Sequence, residues 1–95
     1  MPFCEAIRTR KLLVFWYHDH RQLVEPHALG MDADHDSVLL AYQIAGTTDG
    51  GIVPDWRLYK CLQTRAVAIV PIEFAISRRD YQRDDPRFLS IDCQL

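Results

Sequence analysis

The stretch Tyr17–His27 (YHDHRQLVEPH) gathers three histidines, two carboxylates and an arginine into eleven residues. Three kinds of chemistry fit such a set: chelation of a transition metal, acid–base work, or none, the cluster being a hairpin tip and the strand that leaves it. His18 and His20 fall on one side of an extended chain, as chelating ligands do. Asp19 between them and Arg21 after them make the segment read as a solvated turn, which lacks the supporting hydrogen bonds a metal site needs. His27 lies about 20 Å from His20 along an extended strand at ~3.3 Å per residue. A turn is therefore expected here, with no metal and no cofactor. Asp32–Asp36 (DADHD) alternates acids as a calcium loop does, but it lacks the loop's glycine at position six and its glutamate at position twelve.

Catalytic signatures are missing too. No Gly-x-Ser-x-Gly, His-Glu-x-x-His or phosphate-cradling glycine loop occurs. Glu25 and His27 alternate onto one strand face and read as a satisfied polar pair before an acid–base couple. No enzymatic activity is expected. The arginines are more informative. Arg21 opens a strand on the face of Leu23, Glu25 and His27, and Arg57 follows Trp56 with Tyr59 on its own face. A guanidinium offers a planar donor fork to phosphate or carboxylate. A neighbouring aromatic suits a flat ring. In a bent sheet, Arg21 and Arg57 are expected to meet at one hollow.

The elements that position these residues are short. Pro2, Phe3, Ala6 and Ile7 predict an amphipathic helix over residues 2–10. Leu12–Tyr17 is apolar on both alternating faces, as a central strand is. His18–His20 is the tip, and Arg21–Leu29 returns with Pro26 marking an edge or bulge. Val38–Ala45, Trp56–Leu62 and Ala66–Phe74 read as further strands. Phe88–Leu95 reads as a clean half-buried strand with Leu89, Ile91, Cys93 and Leu95 inward. GTTDGGIVPD holds three of the four glycines and is the most flexible segment. SRRDYQRDDPR nearly cancels its own charges and reads as a solvated loop anchored by Tyr81.

The whole is one domain over residues 1–95, mainly β. A small, strongly bent antiparallel barrel with one N-terminal helix is expected, because closure removes exposed edges. The net charge of −2 argues against a bulk-basic nucleic-acid binder, while leaving room for a local basic patch. Cys4, Cys61 and Cys93 are odd in number and widely spaced, so reduced, buried thiols in a cytoplasmic protein are expected. No apolar run is long enough to cross a membrane, and the N-terminus lacks a signal-peptide pattern.

The segment LLVFWYHDHRQLVEPHALG resembles the opening of WYL domains, bacterial sensor modules usually found beside winged-helix transcription regulators. Tyr17, Arg21, Pro26 and Gly30 fall on the pattern, LLAYQIAG matches its third strand, and DWRLYKC matches its Arg-x-aromatic strand through Arg57 and Tyr59. FAISRRDYQRDDPRF is similar to the tail of short stand-alone members. The triplet that names the family falls at Ser37-Val38-Leu39, where Leu39 alone agrees. The resemblance implies a Src-homology-3-like, Sm-like barrel. It also implies a positively lined pocket for single-stranded nucleic acid or a nucleotide-like anion. Arg21, Arg57 and Tyr59 carry over, and Tyr42 and Trp56 take the place of the missing aromatics. With His27 they make the candidate ligand-binding set. The competing expectation is an interaction module that forms a homodimer or docks a regulatory protein through an exposed strand edge.

Overall fold

The computed structural model describes residues 2–95. The chain runs α1 (Phe3–Thr9), β1 (Lys11–Tyr17), β2 (His20–Asp32), β3 (Ser37–Gly46), β4 (Asp55–Lys60), a 3-10 turn (Cys61–Gln63), β5 (Thr64–Glu73) and β6 (Phe88–Gln94). All six strands belong to one antiparallel sheet of order β4-β3-β2-β1-β5, with β6 added on β2.

Strand β2 organises this sheet. Along one edge it pairs with β3 from Gln22 to Met31. Along the other it pairs first with β1, through His20 to Val24, and then with β6, through Ala28 to Asp32. Pro26 falls between those two partners, and the register against β3 slips between Pro26 and Ala28. A residue that cannot donate a backbone hydrogen bond is tolerated at such a break. Gly30 is needed where β6 crosses, because a Cβ there would lie 2.2 Å from the Ser90 carbonyl oxygen.

The sheet curls. Phe15 and Tyr17 of β1 each pack edge-on against Tyr59 of β4, with ring centroids 4.9 Å apart, although two strands separate β1 from β4 in the order. Inside the curl lie Leu13, Phe15, Val24, Leu39 and Tyr59, and α1 adds Phe3, Ala6 and Ile7. The helix ends at Arg10 in the left-handed region, where its N–H donates to the Ile7 carbonyl and its side chain to Ala75. A second core lies on the outer face of β3 and β4. There Val38 and Leu40 meet Trp56, Leu58, Tyr81 and Phe88.

Three expectations need correction. The barrel is not closed: β4 and β5 end the sheet without pairing, and the 3-10 turn alone joins them. The clean alternation of β6 fails, because its register against β2 slips twice. Asp92 and Leu89 fall in the bulges, which leaves Leu89 exposed and buries Phe88. The thiols are not all reduced either: Cys4 and Cys93 form a disulfide between α1 and β6, and Cys61 alone is free. Their separation of 89 residues hid the pair from any spacing rule, since only the fold brings the two ends together.

Thiol counting checks this directly. Denatured protein without reductant should show one reactive thiol and with reductant three. Reduction should cost on the order of 2–4 kcal/mol in urea unfolding, as expected for closing a long loop. Three thiols without reductant would show that the ends are not bonded.

Candidate functional site

The six residues singled out from the sequence fall in three places. Arg57 and Tyr59 share the inner face of β4, as their spacing requires. Tyr59 is buried, and its hydroxyl donates to Gln22 Oε1. Burial pushes its ionisation well above the ordinary phenol range. Arg57 is held by partners within the protein, with the Asp55 carboxylate 3.7 Å from one terminal nitrogen. Its Nε donates to Gln43 Oε1 at 3.1 Å, and its two terminal nitrogens to the carbonyls of Trp56 and Ile52. Gln43 in turn donates to the carbonyls of Ala45 and Thr47. Arg57 thus latches the 47–54 loop to β3 and β4.

His27, Tyr42 and Trp56 do come together, on the other side of the sheet. Trp56 is edge-on to both His27 and Tyr42, and Tyr81 stacks near Trp56. His27 is wholly buried. Its Nδ1 faces the Glu25 carbonyl at 2.8 Å and its Nε2 accepts the Arg78 N–H at 3.0 Å, so the ring is neutral with the proton on Nδ1. Arg78 also donates twice to the Glu25 carboxylate and lies 4.3 Å above the Tyr42 ring. Burial lowers the His27 pKa below its ordinary value, and the Arg78 charge adds to that against the pull of Glu25. These residues clamp the 75–87 loop over the second core. Arg78 is the partner that sequence reading missed, because it lies inside a run of self-cancelling charge.

Arg21 stands apart from both groups. It is exposed on the outer face at the start of β2, and it forms no ion pair among the described residues. It borders an open groove of about 500 Å³ lined by Val14, Leu23, Val70, Gly46 and Thr47. Directly opposite Arg21 on β1 is Trp16, and directly opposite Trp16 on β5 is Arg65. Residues paired across antiparallel strands share a face. Trp16 is 40% exposed, high for the largest apolar side chain. Arg65 has only a loose partner, Asp19 at 3.4 Å, and both are solvated. The two arginines of the predicted pocket therefore lie on opposite faces, while a different pair flanks a partly exposed tryptophan. The signal for Trp16 was present in the alternation of Leu12, Val14 and Trp16, but nothing in it said that this end of the face stays uncovered.

The histidines of the opening stretch act separately. His18 and Asp19 have positive φ and form a two-residue turn. His18 bonds Gln63, and His20 bridges Thr47 and Asp49. In the β2–β3 turn, Asp32, Asp34 and Asp36 cluster. Lys60 Nζ already reaches Asp32 at 3.0 Å and Asp36 at 2.9 Å, and its hydrogen bond holds the Asp32 carboxyl below the usual range.

No family model, curated protein or solved structure matches this chain.

Two outcomes follow from the buried polar pairs. Tyr59→Phe leaves Gln22 Oε1 without its donor and should cost about 1–3 kcal/mol in denaturant unfolding. His27 stays neutral when folded, whereas the unfolded chain takes up a proton below its ordinary value of 6.5. Its contribution to stability is therefore complete above that pH and is lost as pH falls through the acidic range beneath it. Unfolding curves of the wild type and His27→Gln across pH 5–8 should show a shallower acid decline in the variant. An unchanged slope would mean that His27 does not govern it.

Proposed function

We propose that this chain is a non-enzymatic binding module for an anionic ligand carrying a flat ring, of the class of nucleotides and single-stranded nucleic acid. One observation carries the reading: exposed Trp16 stands between Arg21 and Arg65 on the bare half of the sheet's outer face. The other half, over β3 and β4, is covered by Tyr81 and Phe88. An uncovered aromatic offers a stacking platform, and two solvated guanidiniums beside it offer charge-assisted hydrogen bonds to phosphate. The groove next to Arg21 has a volume typical of small-ligand sites.

The absence of catalysis is part of this proposal. Burial pushes the Cys61 thiol up to about 11, which suppresses its thiolate, and both ring nitrogens of His27 are engaged. The order of elements, with an N-terminal helix before a curled sheet, agrees with an open form of the Src-homology-3-like, Sm-like barrel that the WYL resemblance implies. That resemblance favours a cytoplasmic regulatory setting in a bacterium. The Cys4–Cys93 bond weighs toward an oxidising compartment, and thiol counting on protein from its native source decides between them. No helix among the described residues is long and apolar enough to cross a membrane.

A second reading, as a dimerisation or protein-docking module, is favoured by β5. That strand ends the sheet, and its Ile72 is 57% exposed. A strict monomer in light scattering across concentrations removes self-association.

Fluorescence anisotropy with a labelled single-stranded oligonucleotide tests the first reading. Trp16→Ala should cost about 1–3 kcal/mol for the lost stack. Arg21→Gln should weaken binding roughly tenfold or more and flatten the salt dependence by about one phosphate contact. Affinity indifferent to both changes in folded protein would refute the site.

A further inference from the structure

We infer that residues 76–80 form a strap released by acid: a proton on His27 Nε2 lifts them from the sheet while the sheet stays folded. The geometry leaves that proton no other place. Nδ1 already carries the ring's hydrogen and directs it at the Glu25 carbonyl, 2.8 Å away. Nε2 accepts the Arg78 backbone N–H at 3.0 Å. A second proton turns Nε2 into a donor, so two N–H groups then face each other and neither is satisfied. One side must give way. His27 sits in β2, which pairs with three other strands, whereas residues 76–80 join none.

The strap has fixed ends and a free middle. Before it, the Ala75 carbonyl accepts Arg10 Nη1 at 2.7 Å. After it, Asp84 exchanges two hydrogen bonds with the Gln94 side chain, at 3.0 and 2.8 Å. In the middle, Arg78 is held at its backbone by His27 and at its guanidinium by Glu25. The guanidinium bonds are made at the end of a long, flexible stem and do not fix the backbone amide. An open cavity of about 360 Å³ lies along the strap between Glu25 and residues 74–79, and it gives water a route inward as the strap lifts.

The groups around His27 set the direction of the response. From β2 the Glu25 carboxylate favours a charged ring, and from the strap Arg78 opposes it. Tyr81 lies with its ring centroid 5.0 Å away, and burial raises its ionisation further above neutrality, so it stays uncharged. Trp56 and Phe74 complete the surround and do not titrate. Burial is the largest of these influences and holds the enclosed ring below its ordinary value of 6.5. A lifted strap returns the ring to water and to that ordinary value. The closed form is therefore fully favoured above it. Each pH unit below it shifts the balance toward the open form by up to tenfold, until the enclosed ring itself titrates.

Native-state hydrogen exchange, corrected for the intrinsic exchange rate at each pH, tests this. Protection of the Arg78 amide should fall roughly tenfold between pH 6 and pH 5, while amides of β2 and β3 around the inner core keep theirs. In His27→Gln, the side-chain oxygen still accepts from Arg78 but takes up no proton, so protection at Arg78 should become flat with pH. If that variant does not fold, the pattern in the wild type decides alone. Arg78 protection that is indifferent to pH overturns the inference. Loss of protection across all strands at one midpoint also overturns it, because the event is then global unfolding. So does a pH response at Arg78 that survives in folded His27→Gln.

Discussion

The division of β2 between two partners on one edge is the constraint on which the rest of this fold depends. Hydrogen bonding to β1 ends at Val24 and hydrogen bonding to β6 begins at Ala28. Between them the strand carries Pro26, which has no donor to offer either partner. The bend that results brings β1 within ring contact of β4 and closes the inner core around Tyr59. It also separates the outer face into two regions. One is roofed by the 75–87 loop and β6, the other is left to solvent.

The two regions differ in chemistry because they differ in cover. Under the loop, the buried polar side-chain atoms are paired: Glu25 with Arg78, His27 with the Glu25 carbonyl and the Arg78 N–H. Such a network holds a loop in place. On the open region, Trp16 and Arg21 have neither roof nor partner among the described residues. Trp16, 40% exposed beside a solvated guanidinium, is the observation on which the proposed ligand site rests.

Much of the architecture was legible in the sequence. The helix, a hairpin tip read at His18–His20 and found as a two-residue turn at His18-Asp19, the proline break and the role of Tyr81 as a loop anchor follow from local rules of capping, alternation and turn chemistry. What local rules miss is register. A slip of one residue moves a side chain to the opposite face. The two slips in β6 therefore undid the expected burial of Leu89. Arg57 illustrates a different limit: its position beside an aromatic suits an anion site, yet three of its donors go to Gln43, Trp56 and Ile52. Two of those acceptors are backbone carbonyls, which every residue carries and which leave no signature in the sequence, and the third comes from the neighbouring strand. The Cys4–Cys93 bond is hidden for another reason, being a product of tertiary closure.

The most direct measurement is a nitrogen–proton correlation spectrum of labelled protein titrated with a short single-stranded oligonucleotide. The Trp16 indole and the backbone amides of Arg21, Leu23 and Arg65 should shift together, while the Trp56 indole and the Arg57 side chain stay still. Shifts confined to Trp56, Tyr81 and their loop, with Trp16 unmoved, would place the ligand on the other half of the sheet and contradict the account.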